Sequence, residues 1–533
     1  MKLKTLLCAS AALVALCAPA FADDAAVEKR LDQMEKMIAA QQAQIQQQSG
    51  EIKTLKTALH KKGVKLEAAQ SAVPPAPSPH SVEAKVEDQQ IQIDTLTQKF
   101  AAAQDQSRIE KQDSPSWSLV NGRPTIASRD GRFSLAIRAL GQFDAAYYMQ
   151  SGHAATLPLA NGPDLSSGTN FRRAQLGIQG KLFGDWSYNF NTEFGGSNGT
   201  ESGGRVQALY VEYDGLGPLA FRVGAYPPAG GLEDNTASAD TLFLERAGPS
   251  DIVRNAVGGD GRDAASILYT GDQFYASFSY TGGKVGDAAV FDEQQSLLGR
   301  LADSVWSDSD SRLVLSATGA YMFRGPDTVA GPNSARSLSL AVAPELTIDS
   351  NGTKLVSTGG VNTDSAMFWG MEAGANWKNF YGQAGYFSYD IDQRVAAPPQ
   401  KPDLHFDGWY AQASWVITGE SRGYSTASAA FTSPKPTIPF SLSGGGWGAW
   451  ELAGRYSDVD LNDHAGGFGL ATPFGGIRGG EQKIWSAGIN WYPNAVLRFA
   501  LDYQWIDIGR LSGGGADVGQ NLQALSLRSQ ISL

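Results

Sequence analysis

Residues 171–194, FRRAQLGIQGKLFGDWSYNFNTEF, alternate with a period of two through both arms of a hairpin. In the first arm Ala174, Leu176, Ile178 and Leu182 share one face, and Arg173, Gln175, Gln179 and Lys181 share the other. In the second, Trp186, Tyr188, Phe190 and Phe194 oppose Ser187, Asn189, Asn191 and Glu193, with Phe183-Gly184-Asp185 as the connection. The apolar face of a soluble sandwich would meet a second sheet. Here it concentrates large aromatics beside the turn, the arrangement of an interfacial girdle on an outer-membrane barrel.

This reading explains a composition that otherwise looks soluble. The chain has 533 residues and 42% hydrophobic content, and beyond the N-terminus it has no apolar run of the length a membrane helix needs. A barrel escapes that test because only alternate residues face lipid. The first 22 residues carry Lys2 and Lys4, an apolar stretch from Leu6 to Leu16, and Ala20-Phe21-Ala22, which predicts a cleaved export signal and a mature start at Asp23. Cys8 and Cys17, the two cysteines, fall within it, so neither a disulfide nor a thiol metal site is expected afterwards.

Residues 23–72 read as a coiled-coil segment. Val27, Leu31, Met34, Ile38, Ile45, Ile52, Leu55, Leu59 and Leu66 recur at heptad spacing, with Gln41, Gln48 and Lys62 at the remaining seam positions. A proline-rich hinge over 73–80 interrupts it. A second coiled-coil segment over 81–110 has Val82, Val86, Ile93, Leu96 and Phe100 on its seam, and a linker over 111–130 leads to the barrel domain, 131–533. Charge usage changes near residue 116: 12 Lys, 2 Arg and 14 acids before it, 7 Lys, 22 Arg and 40 acids after it. The net charge of −11 therefore belongs to the second part.

Within that part, strands recur from Phe133 to Leu533, and about 25 residues per strand and connection predicts about sixteen strands. The layout of residues 324–366 does not resolve into strands. The connection over 226–263 is too long for a turn and is expected to fold into the pore. The final QALSLRSQISL alternates Leu525, Leu527, Ile531 and Leu533 against Ser526, Arg528 and Gln530, as a closing strand must. The expected fold is thus an all-β, transmembrane antiparallel barrel preceded by an α-helical coiled-coil arm.

Several stretches together resemble the phosphate-selective porin O and P family: RRAQLGIQGKLFGDWSYNF from Arg172, ALYVEYDGL from Ala208, FLER from Phe243, GWYAQASWVITGESRGY from Gly408, GAWELAGRYSDVDLND from Gly448 and GINWYPNAVLRFALDY from Gly488. The resemblance implies a trimeric, sixteen-stranded outer-membrane porin that passes phosphate or polyphosphate through an arginine-lined constriction, with an N-terminal coiled-coil arm in the periplasm.

Guanidinium suits that task because its planar fork matches phosphate oxygens and stays charged. Alternation puts Arg138, Arg173, Lys181, Arg222, Arg455, Arg498 and Arg528 on the lumen face, and the long connection adds Arg246, Arg254 and Arg262. These ten are the candidate anion pathway. The alternative is that they pair with lumen acids such as Asp144, Glu193, Glu212, Glu451 and Asp502, which would stiffen the wall without an anion field. His60, His80, His153, His405 and His464 lack ligand spacing, and the glycine clusters lack a following Lys-Ser/Thr, so neither metal, cofactor nor enzyme activity is expected. The expected partners are outer-membrane lipid, two further copies of the chain, small anionic solutes and an envelope component met by the arm, with no nucleic acid. A general diffusion porin with the arm as envelope tether is the second reading.

Overall fold

The computed structural model describes residues 79–113, 115–120, 122–150, 164–196, 204–285, 291–331, 334–395 and 399–533, with a few positions between 43 and 57. The expected signal segment, and nearly all of the first coiled-coil segment and the hinge, lie outside the described residues. The second coiled-coil segment falls within a helix, α1 (Pro79–Asp113).

Period-two alternation builds a closed barrel of sixteen antiparallel strands. They are β1 (Ser134–Gln150), β2 (Gly168–Leu182), β3 (Trp186–Glu193), β4 (Arg205–Leu216), β5 (Leu219–Ala225), β6 (Arg262–Thr270), β7 (Phe274–Lys284) and β8 (Gln295–Ser307). There follow β9 (Ser311–Arg324), β10 (Val361–Trp377), β11 (Phe380–Gln393), β12 (Leu404–Val416), β13 (Ala449–Asp463), β14 (Ile477–Tyr492), β15 (Leu497–Gly509) and β16 (Gln520–Ser532). Each pairs with its sequence neighbour, and β16 closes on β1 with Arg528 opposite Asp144. Closure removes the free edges that an open sheet would present. The register leaves Leu176, Ile178, Trp186 and Phe190 exposed on the outside, and Leu525, Leu527 and Ile531 likewise on the last strand.

The β2–β3 turn is the tight one read in the sequence. Phe183 and Gly184 both have positive φ, 56° and 89°. Six of the seven connections on that rim are two to four residues long; the exception is 417–448, which carries its own hairpin, Gly423–Ser425 with Ala430–Thr432. The span expected as a linker also carries a hairpin, Ser116–Val120 with Arg123–Ala127, whose second strand pairs with β1 at Ala136, Leu135 and Ser134.

Three connections fill the barrel. The first, 226–261, contains α2 (Leu232–Asn235) and α3 (Gly248–Val257), and it buries Leu232, Phe243, Ile252 and Val257. The second, 325–360, buries Leu340, Val342 and Val356; it is the span whose strands the sequence did not resolve. The third, 417–448, buries Phe431 against Tyr381 with ring centroids 5.1 Å apart. They are cross-linked: Glu345 accepts a hydrogen bond from Gly248 N at 2.7 Å, a carboxylate placed on the positive end of α3. Asn235 donates to Ser428 O at 3.1 Å.

Candidate functional site

The space left between wall and filler includes two cavities. The turn-side cavity, about 800 Å³, runs past Arg123, Arg138, Arg222 and Arg498. The loop-side cavity, about 220 Å³, runs past Arg172, Arg173, Arg205, Lys284 and Lys354. Arg246, Arg254 and Asp260 line both, so these three stand at the junction of the two cavities. All come from the connection expected to enter the pore.

Each cavity is cationic although the barrel part as a whole is acidic. On the turn side seven Arg and Lys residues face Glu212, Asp234, Asp240 and Asp260. On the loop side seven face Glu245, Asp251, Asp260 and Glu345. Near charges in a narrow, low-dielectric channel outweigh distant ones screened by salt.

The junction is held by ion pairs. Arg254 bridges Asp234 and Asp260, both at 2.5 Å. Burial lowers the Arg254 pKa, but the two carboxylates outweigh it and raise the net value. Burial likewise works to raise Asp260, and Arg254 and Arg173 hold it well below the usual carboxylate range. Arg246 donates to Glu233 O and Thr236 O at 3.3 and 2.7 Å. Burial, then the neighbouring Arg254, lowers its pKa.

Above the junction a β-bulge alters the wall. Gln142 pairs with Arg173, and Phe143 pairs with Phe171, so Arg172 is the extra residue and turns inward. Strict alternation would have put Arg172 toward lipid. Instead it meets Glu245 at 2.7 Å, which Arg528 also reaches at 3.1 Å. Burial works to raise Glu245, but Arg172, Arg173 and Arg528 hold it well below its ordinary value.

The other candidates divide by partner. Arg173 donates to Gln142 Oε1 at 2.7 Å and lines the loop-side cavity. Arg222 pairs with Glu212 at 2.6 Å and lies 4.4 Å above the Tyr210 ring. Arg498 is held by Asn490 Oδ1 at 2.7 Å and Leu242 O at 2.9 Å. Arg455 pairs with Glu345 and packs 4.5 Å from Phe243. Lys181 pairs with Asp214 at 2.5 Å and lines neither cavity. Arg262 donates to the carbonyls of Asn255, Gly258 and Gly282 at 2.8–3.0 Å; two of these lie at the C-terminal end of α3, so it caps that helix, and it lines neither of the two cavities.

Arg138 differs from these, since it makes no side-chain hydrogen bond or ion pair among the described residues. Continuing the register in which Thr125 faces Ala136 puts Arg123 across from it. The Arg123 Nε is buried without a partner. Two guanidiniums thus stand together at the turn-side mouth. Nothing in the sequence pointed to Arg123, which sits in the expected linker.

A sequence model of the phosphate-selective porin O and P family matches residues 157–528. The chain belongs to this family. Porin O of Pseudomonas aeruginosa is 24% identical over 414 residues, 75% of this chain and 88% of that one. An uncharacterized protein of Caulobacter vibrioides is 26% identical over 352 residues, 64% of each chain. Among solved structures, OprB of Pseudomonas putida superposes with a TM-score of 0.46 at 10% identity, covering 76% of this chain and 95% of that one. As a member of this family the porin is an outer-membrane channel rather than an enzyme.

Proposed function

We propose that this porin passes small anions by diffusion, with phosphate or polyphosphate among them. The observation that carries the reading is the excess of cations over acids along both lumen cavities. Several arginines do pair with lumen acids, as the alternative anticipated, but the unpaired Arg123 and Arg138 add charge that no carboxylate offsets. A phosphate oxyanion could accept from both forks. The test is the reversal potential of reconstituted channels in a chloride gradient, followed by titration with phosphate. Anion preference and phosphate block of chloride current support the reading; preference for potassium with no block removes it.

Residues 1–22 are, on this reading, an export signal, and 23–110 a periplasmic coiled-coil arm that ties three copies together. Val86 and Leu96 on α1 are exposed, which favours a partner for that helix. The arm as an envelope tether is a second role. Sedimentation of a 23–110 fragment tests the association, and a monomer at high concentration would count against it.

A further inference from the structure

The 417–448 connection has two halves with different surroundings. Residues 422–435 lie in the lumen, where Arg422 forms a two-point pair with Glu451 at 2.7 and 2.9 Å. The remainder turns over the rim and returns along the outside of the wall. Phe440 N donates to Pro493 O at 2.7 Å, and the Phe440 ring meets the outward Trp491 edge-on at 5.2 Å. Trp447 O accepts from the indoles of Trp450 and Trp491 at 3.2 and 2.9 Å. The bend between them is closed by Ser441 N on Gly446 O at 3.1 Å. A Cβ at Gly446 would stand 2.0 Å from Pro439 O, so only glycine lets the two limbs approach.

Residues 436–447, PTIPFSLSGGGW, contain no charge, yet Leu442 is 94% and Trp447 73% exposed, with Ile438 beside them. A connection surrounded by water has no reason to display its largest apolar side chains together. The rings it rests on belong to a belt: Trp450 stacks on Trp491 at 5.5 Å and Trp491 on Phe499 at 5.4 Å, and Phe380 stacks on Trp415 and Trp377 at 6.0 and 6.2 Å. Such a belt marks the boundary between acyl chains and head groups. The lobe continues that surface outward.

We propose that residues 436–447 form an interfacial anchor seated in the turn-side leaflet, with Leu442 and Trp447 in the lipid. The occupant of this surface is the membrane itself. The anchor then fixes one end of a connection whose other end fills the pore.

The experiment uses the full chain with Cys8→Ser, Cys17→Ser and Leu442→Cys, labelled with an environment-sensitive fluorophore and refolded into phosphatidylcholine vesicles. Nitroxide is carried on the head group, shallow in the acyl chain or deep in it. The expected result is blue-shifted emission, quenched at least about twofold more by the shallow nitroxide than by the deep one. Adding Trp447→Asp should cut the shallow quenching by about half while heat-modifiable migration is kept. Water-like emission untouched by lipid nitroxide overturns the proposal. So does apolar emission without quenching, accompanied by cross-linking at position 442 between protomers, which would make the occupant a second copy. Ser443→Cys serves as the labelled site if the Leu442 variant does not fold.

Discussion

Arg528 on the last strand and Asp144 on the first face each other across the closing seam in a two-point pair, 2.7 and 2.6 Å, with both residues buried. The two ends of the barrel are joined by a charge interaction as well as by backbone hydrogen bonds. Arg528 also holds Glu245 of the lumen filler, so the seam and the filler share one side chain.

That sharing makes the two possible deletions unequal. Asp144→Asn leaves Arg528 with Glu245, whereas Arg528→Met leaves Asp144 buried with its carboxylate unpaired. Breaking a buried pair from one side costs about 3–5 kcal/mol, and the upper part of that range is expected for Arg528→Met. Urea unfolding of the refolded variants, read by heat-modifiable migration, should rank Asp144→Asn above Arg528→Met in stability. The reverse order would mean that Glu245 does not hold Arg528 once Asp144 is neutral, and that the unpaired cation is the costlier one to leave buried.

Arg138→Met and Arg123→Met should reduce anion preference while leaving stability unchanged or slightly raised, because neither guanidinium has a carboxylate partner to lose. A unit charge about 7 Å from the path in a water-like medium favours an anion and disfavours a cation by about 0.6 kcal/mol each, so its removal changes the anion-to-cation permeability ratio by a factor of about seven. Reversal potentials of the single and double variants check both the sign and the step.

Arg254 and Arg262 are expected to part company. Arg254→Ala strips the cation from Asp234 and Asp260 at the junction and should move selectivity toward cations. Arg262→Ala uncaps α3 and should cost about 1–3 kcal/mol for the carbonyls it leaves unsatisfied, with the reversal potential unchanged. Equal shifts in selectivity from both would show that Arg262 reaches the path.

Alternation alone identified the wall and most of the lumen arginines, because lipid on one side and water on the other leave few choices for β2, β15 or β16. It failed at Arg172, since the extra residue of a bulge reverses the facing of one position and no composition rule marks which one. It also failed at 325–360 and 417–448. Residues 325–360 and the lumen half of 417–448 bury Leu340, Val342 and Phe431 inside the barrel, and a filler enclosed by the wall has no two-sided pattern to read. Arg123 was invisible for another reason: its role comes from a strand pairing between the preceding hairpin and β1.

Acid should loosen the loop-side filler late. Burial works to raise the Asp349 carboxyl, but hydrogen bonds from Thr353 and Ser166 outweigh it and hold it at about 2. A depressed carboxylate contributes stability above its unfolded value, about 3.9, and loses it as pH falls through about 2. Amide exchange at Thr353 should therefore keep its protection at pH 4 and lose it near pH 2. Loss already at pH 4 would mean that the bond to Asp349 is not what protects that amide.

The hairpin before the barrel has a mechanical consequence. Ser116 pairs with Ala127 at its open end, and among the described residues the first strand of the hairpin pairs with the second, which is fastened to β1. Tension applied upstream of Ser116 would peel the five residue pairs one after another, and until they are gone the wall bears no more than the force that opens one pair at a time. The hairpin is thus a fuse: it yields by unzipping, and the closed wall behind it keeps its pairing.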